Sequence, residues 1–316
     1  MAKQANDSPF VGLTIPYPKN RVELAQWFHT ETACLDYLAS LRWERGYVCP
    51  LCVGREAWAP RPGMRRCKAC RHRSSVTAGT IFNRTRKPLA AWFEAVWHIC
   101  GQKNGGSALA FQRSLGLKRY ETAWAWLHRL RRAMVTPDRS RLNREVEVDE
   151  TFIGGVRKGK RGRGAAGKTL VLIAAEIRGV AIGRIRLQII PDAAAVTLLD
   201  TISDLVEPGS DVVTDGWSSY AGLPQRGFNH TVSRATPNMG ANLLPHVHRV
   251  AALLKRWLLG THQGGISHDR LQFYLDEFVF RFNRRNASSR GLLFRRLLEQ
   301  ALNHNPVTMP QLVGKP

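Results

Sequence analysis

Apolar and polar positions alternate with two different periods along the 316 residues, helical in the first half and strand-like at the start of the second. Over residues 22–41, Leu24, Trp27, Phe28, Leu35, Leu38 and Leu41 recur at helical spacing and predict one or two short amphipathic helices. Over residues 88–134 the period is helical again. Leu89, Trp92, Phe93, Val96, Trp97 and Cys100 form one stripe, Gly105-Gly106-Ser107 interrupts it, and a last amphipathic helix is expected over 120–134. Residues 135–140, with Pro137 and turn formers, read as a linker. Residues 145–152 then alternate, 169–177 and 183–190 are rich in β-branched residues, and 212–214 form a short buried strand. Helical patterns return over 193–205 and 246–258.

Cysteine spacing adds a metal site between the helical stretches. Cys49, Cys52, Cys67 and Cys70 form C-x2-C-x14-C-x2-C, in which two tight turns let four thiolates converge on one structural Zn²⁺ with no position left for water. The metal would supply folding energy that so small a core lacks. Cys34 and Cys100 lie in apolar helical surroundings and are expected as buried small hydrophobes. Metal spacing, the absence of an apolar leader at M-A-K-Q-A-N-D and the shortness of every apolar run lead to the expectation of a cytoplasmic protein that does not enter a membrane.

Charge narrows the partners. Lys and Arg number 47 against 24 Asp and Glu, a formal net charge of +23, which opposes compactness and is relieved by a polyanion. DNA or RNA is therefore the expected ligand, with a ribosome-like structural binder or a merely basic surface as the bland alternatives. The helix-turn-helix-like order of a short helix, a glycine turn and a second helix carrying Arg129, Arg131 and Arg132 would place that second helix in a major groove, although any three-helix bundle has the same period. In residues 157–163, Arg157, Lys158, Lys160, Arg161 and Arg163 alternate with glycine in a loop that can follow a DNA backbone; a solvated hairpin has the same composition.

The order of three strands, helix, strand and further helices is an α/β order compatible with a ribonuclease-H-like domain. Asp149 at the end of the first strand and Asp215 at the end of the fourth stand where α/β sheets place reactive groups. Two such carboxylates can hold Mg²⁺ or Mn²⁺, and a pair of ions suits phosphodiester chemistry. Glu147 shares the parity of Asp149 and could adjoin the site, an exposed strand-face carboxylate being the commoner outcome; Glu150 has the opposite parity.

Four further segments complete the picture: V-E-V-D-E-T-F-I-G-G, V-V-T-D-G-W-S-S-Y, H-R-V-A-A-L-L-K-R-W-L-L-G-T-H-Q-G and Y-L-D-E-F-V-F-R-F-N-R-R, together with R-H-R-S-S-V-T-A-G-T-I-F after the last cysteine pair. In this order they resemble the DDE-type transposases of bacterial insertion sequences, in the branch with an N-terminal zinc ribbon. The resemblance implies a metal site of two aspartates and a third residue on a late helix, followed seven positions on by a basic residue. Asp149 and Asp215 match the first two, Lys255 the basic residue, and His248 stands where the usual residue is glutamate. Seven residues are nearly two helical turns, so His248 and Lys255 would share a face about 10 Å apart. Imidazole favours Mn²⁺ over Mg²⁺ as a ligand; alternatively His248 acts on water or is simply a helix-start histidine, and Glu277 or Asp276 on the helix of 271–284 supplies the carboxylate unless both only pair with arginines.

The implied organisation is a multidomain α/β chain: N-terminal helices (1–45), a zinc ribbon (46–80), a helix-turn-helix-like DNA-binding domain (81–135), a linker (136–144), a ribonuclease-H-like mixed sheet with flanking helices (145–303) and a tail (304–316). The implied function is a transposase that binds terminal inverted repeats and catalyses metal-dependent cleavage and strand transfer of double-stranded DNA, with catalytic residues Asp149, Asp215, His248 and Lys255, the last also contacting DNA. A homodimer or larger assembly that holds both element ends, nucleoid-associated when on DNA, follows from that activity. A catalytically decayed relative retained as a DNA-binding regulator is the alternative, favoured by the histidine and opposed by Asp149, Asp215 and Lys255.

Overall fold

Capping residues fix where the first helices begin. Asn20 accepts from the Glu23 N–H to start α1 (Arg21–Trp27), and Thr30 accepts from the Ala33 N–H to start α2 (Glu31–Arg42). The structure, a computed structural model, describes residues 15–102, 104–136, 139–154, 168–234, 243–263 and 266–313. It divides into two units, Met1–Thr136 with Ala287–Pro316, and Pro137–Asn286.

The first unit continues with a three-stranded antiparallel ribbon, β1 (Ala57–Trp58), β2 (Met64–Cys67) and β3 (Arg73–Ser75). Three helices follow, α3 (Leu89–Gly101), α4 (Ala108–Ser114) and α5 (Tyr120–Ala133). The sequence expectation of a tail after residue 303, and of a catalytic domain reaching that far, differs from the fold here. Helices α9 (Arg290–Asn303) and α10 (Met309–Val313) return to the first unit. The physical reason is aromatic: Phe294, fully buried, packs with ring centroids 5.6–6.5 Å from Phe28, Tyr37 and Phe93, themselves 4.7–6.1 Å apart, and Trp97 adds an edge contact at 5.7 Å. Beside it Trp92 stacks on Trp126 at 3.9 Å.

In the ribbon the two C-x2-C turns are built alike. Each second cysteine is followed by a residue in the left-handed region, Val53 (φ 61°) and Arg71 (φ 63°), and the Val53 and Arg71 N–H groups return to the Cys49 and Cys67 carbonyls. Such non-glycine conformers cost about 1 kcal/mol each. A Cβ on Gly54 would meet the Cys67 and Cys52 sulfurs at 3.3 and 3.4 Å, so the turn is closed around the thiols. The four Sγ atoms lie within 4.8 Å of one another, with Cys49 to Cys70 at 3.6 Å and Cys52 to Cys67 at 3.5 Å. A tetrahedral Zn²⁺ with sulfur bonds of about 2.3 Å needs sulfurs about 3.8 Å apart, so the four residues fit structural zinc. Burial opposes ionisation of Cys49, but the Cys52 and Leu51 backbone N–H groups outweigh it and bring the thiol down to about 6, toward the thiolate that zinc takes.

The second unit is a mixed five-stranded sheet in the order β6-β5-β4-β7-β8. Strands β4 (Glu145–Ile153), β5 (Thr169–Arg178) and β6 (Ala181–Ile190) are antiparallel, whereas β7 (Asp211–Thr214) and β8 (Asn229–Val232) run parallel to β4. Strand alternation sorts the side chains onto two faces. Val146, Val148, Leu172 and Val212 pack with Leu198 and Ile202 of α6 (Ala195–Leu205). Val171, Ile173 and Leu187 pack with Val247, Val250 and Leu254 of α7 (Pro245–His262) and Leu275 of α8 (Leu271–Asn283). The expected linker is shorter than its sequence suggests: Leu142 is fully buried, pairs with Val206 and belongs to the α6-side core. Among the described residues no helix is long and apolar enough to cross a membrane.

The ribbon generates the first prediction. Purified protein carries one Zn²⁺ per chain by metal analysis, and Cys49→Ser loses it together with the cooperative melting of the ribbon while the five-stranded unit keeps its thermal transition. A folded protein without zinc, or one with disulfides among these cysteines, contradicts the assignment.

Candidate active site

The parity of β4 puts Glu147 and Asp149 on the α7 side of the sheet. Because β7 pairs parallel with β4, Glu147 opposite Val213, Asp215 emerges from β7 alongside Asp149. Gly216 turns the chain there at φ 82°, where a Cβ would strike Val232 Cγ1 at 2.5 Å. The Trp217 N–H donates to Asp215 Oδ1 at 3.0 Å and holds that carboxylate in the turn.

Across from them the first turns of α7 present His248, whose Nε2 lies 3.2 Å from Asp149 Oδ2; the Glu150 N–H donates to the other oxygen, Oδ1, at 2.8 Å. Asp149 is largely covered and His248 half-exposed, with side-chain exposures of 18% and 45%. Burial raises the Asp149 carboxyl above its ordinary range, His248 and the Glu150 N–H pull it down, and the like charge of Asp215 adds to the rise. One helical face of α7 carries His248, Ala251, Ala252 and Lys255, the alanines leaving a cleft of about 400 Å³ that reaches from Asp149 and Thr151 to Lys255. Burial, and then the charge of Lys168, lower the Lys255 ammonium, while Asp149 opposes the fall.

Three of the four sequence candidates, Asp149, His248 and Lys255, thus line one cleft, and Asp215 is near enough for its charge to act on Asp149. Among the described residues only the four cysteines bring three or more metal-binding atoms within 4.8 Å, so the Asp149, Asp215 and His248 set is more open than a closed metal cage. An open set of hard oxygen donors is what a hydrated divalent ion takes, and the strain on the Asp149 carboxyl is what such an ion would relieve. The donor chemistry therefore fits.

The other acidic candidates lie elsewhere. Glu277 is fully buried and pairs with Arg281 one helical turn on, at 2.7 Å, and Asp276 accepts from Gln272 Nε2 at 2.9 Å. Neither lines the cleft. Glu147 corrects the expectation of an exposed strand-face carboxylate. It is 4% exposed and accepts from the His246 and Val247 N–H groups at 2.9 and 2.8 Å, with His246 Nδ1 at 2.7 Å. Sequence parity located its face, but nothing local signalled a partner 99 residues away. Glu150, on the opposite face, approaches Tyr220; burial and then the Glu150 charge push the Tyr220 phenol up. No motif pointed to that pair.

The basic candidates separate too. Arg131 is 2% exposed, which corrects its expected place in a DNA groove: α5 buries Ala123, Trp126, Leu127, Leu130 and Ala133 around most of its circumference, and Arg131 falls inside. Arg129 is half-buried and donates to the Val307 carbonyl at 2.9 Å, leaving Arg132 as the exposed member of the three. Arg157, Lys158, Lys160, Arg161 and Arg163 lie outside the described residues.

Comparison with known proteins follows the same division. The family model of the ISXO2-like transposase domain matches residues 141–283, and that of a transposase zinc-ribbon domain matches residues 29–73, together more than half of the chain. An uncharacterised protein of the transposable element ISH50 of Halobacterium salinarum is 29% identical over 283 residues, covering 80% of this chain and 91% of that protein. The catalytic core domain of BIV integrase matches with 18% identity over 43% of this chain and 81% of that one, at a TM-score of 0.29. The two matched domains, in this order, and the transposable-element relative make the chain a member of the insertion-sequence transposases that carry an N-terminal zinc ribbon.

Proposed function

We propose that this transposase binds the ends of its element and cuts and rejoins DNA at the cleft between β4, β7 and α7, with Asp149, Asp215 and His248 as ligands for Mg²⁺ or Mn²⁺ and Lys255 as a phosphate contact. The observation that carries the proposal is the convergence of Asp149, His248 and Lys255 on one cleft, with the Asp215 charge felt at Asp149. A strand order in which β4 lies between an antiparallel pair and a parallel pair supports a ribonuclease-H-like catalytic unit. A net charge of +23 supports double-stranded DNA as substrate, and the need to hold two ends supports an assembly of at least two chains on DNA.

When bound, the divalent ions supply activation of the attacking hydroxyl and stabilisation of the leaving oxygen in an in-line displacement at phosphorus. The chain's own residues do the rest. The two carboxylates fix where the scissile phosphate is presented. Lys255, two helical turns along α7 from His248, meets a phosphate oxygen on the strand that runs down the cleft, about 10 Å from the reacting centre. Water attacks first and releases a 3′-hydroxyl, which then attacks target DNA in the same orientation, so one arrangement of side chains serves both steps.

The imidazole of His248 lies 3.2 Å from the carboxylate of Asp149, a geometry that favours a working ligand over decay of the site. A nitrogen donor beside two carboxylates suits Mn²⁺ better than Mg²⁺.

Two predictions follow from the cleft. Asp149→Asn and Asp215→Asn each reduce donor cleavage by about 10³-fold, the equivalent of several kcal/mol of lost transition-state stabilisation, while end binding in a mobility-shift assay stays near wild type. Wild-type cleavage by either variant in both metals rules the site out. In strand transfer from pre-cut ends, His248→Ala loses roughly tenfold or more and His248→Glu recovers activity with a shift toward Mg²⁺. Glu277→Gln instead lowers thermal stability by about 1–3 kcal/mol, since the amide keeps an acceptor for Arg281 but loses the charge of the pair, and the folded protein stays active. An inactive, folded Glu277→Gln with an active His248→Ala would exchange their roles.

A further inference from the structure

We infer that Glu147 is a positioning residue for the active site: it clamps the start of α7 to β4 and so sets His248 against Asp149. The inference rests on the metal site proposed above and adds a residue that the site's own ligands do not include.

The first turn of α7 has an unusual satisfaction of its free N–H groups. Pro245 has none, and the N-cap position, Leu244, offers no side-chain acceptor. The His246 and Val247 N–H groups both donate to Glu147 Oε2, at 2.9 and 2.8 Å, and the His248 N–H closes the first intrahelical bond to the Leu244 carbonyl at 3.0 Å. Glu147 Oε1 pairs with His246 Nδ1 at 2.7 Å. A carboxylate from a strand thus does the capping that a local Ser, Thr, Asp or Asn does elsewhere, in a place where it is 4% exposed and its negative charge meets the positive end of the helix dipole.

The geometry then follows from two short spacings. Glu147 and Asp149 stand two residues apart on one strand face, about 7 Å along β4. The clamped His246 and Val247 stand two residues and one residue before His248 on α7. Three short hydrogen bonds to a buried carboxylate leave little freedom for the helix to slide or turn, so the His248 ring meets Asp149 Oδ2 without depending on the exposed rim of the cleft. Sheet packing alone does not do this: Val247, Val250 and Leu254 would hold α7 on the sheet, but apolar contacts tolerate small axial shifts that hydrogen bonds do not.

The test compares Glu147→Ala, Glu147→Gln and His246→Ala with wild type in the full chain, with zinc content and circular dichroism reporting folding, a mobility shift reporting end binding, and Mn²⁺ titration by electron paramagnetic resonance reporting the site. Glu147→Ala is expected to bind Mn²⁺ roughly 10- to 100-fold more weakly and to lose strand-transfer kcat, while affinity for DNA ends is unchanged. Glu147→Gln, which keeps one acceptor oxygen for both N–H groups, is expected to restore most of both. His246→Ala, which leaves those two bonds in place, is expected to lie between. Folded Glu147→Ala with wild-type Mn²⁺ affinity overturns the inference, and if that variant does not fold, wild-type affinity in His246→Ala overturns it. A wild type that binds no Mn²⁺ removes the metal site itself, an outcome distinct from variants that match a binding wild type.

Discussion

The contact between the buried Glu147 carboxylate and the first turn of α7 is the joint on which the geometry of the cleft between β4 and α7 turns. Strand β4 carries both that carboxylate and Asp149, two residues apart on one face. Strand β7 lies parallel beside it and delivers Asp215 into the same region, and α7 brings in His248 and, two turns later, Lys255. The even-numbered residues of β4, Val146 and Val148, anchor the opposite face in the α6-side core. A one-residue slip of β4 would exchange these faces, burying carboxylates against α6 and exposing valines to α7. The apolar residues of the strand therefore do as much to place the carboxylates as the carboxylates' own partners.

Electrostatics reinforces this arrangement. The chain as a whole is strongly basic, yet at the end of its central strands it places Asp215 close enough to add to the rise that burial gives the Asp149 carboxyl. Left alone, that pairing is unfavourable. In the proposed site a divalent cation would make it favourable, and the surrounding positive charge would hold a polyanion over it. The zinc ribbon solves a separate problem: a three-stranded sheet of two- to four-residue strands has too little core to fold unaided, and convergence of four sulfurs supplies the missing cross-link.

Much of this was legible in the sequence, for identifiable reasons. The C-x2-C pairs have local geometry, so spacing alone located zinc. The strand pattern of β4 and the positions of Asp149 and Asp215 are short-range signals, and the seven-residue spacing from His248 to Lys255 is a helical one. What escaped was long-range. Nothing near Glu147 announces that its partners are the N–H groups of His246 and Val247, and nothing near Phe294 announces that α9 returns to the aromatic cluster of Phe28, Tyr37 and Phe93. Arg131 failed in the opposite sense: charge suggested a DNA-facing residue, whereas the burial of α5 on nearly every side placed it inside. A periodicity argument finds an apolar stripe but does not count how many neighbours a helix has.

In the proposed site one cation is held between a carboxylate of β4 and an imidazole of α7. Pulsed electron paramagnetic resonance on Mn²⁺-loaded protein tests it most directly, because a directly bound imidazole imprints a nitrogen-14 coupling on the manganese signal. The account predicts that coupling in the wild type, its disappearance in His248→Glu with Mn²⁺ still bound, and loss of the bound ion in Asp149→Asn. Bound Mn²⁺ with no nitrogen coupling, or with a coupling that survives His248→Glu, would contradict it.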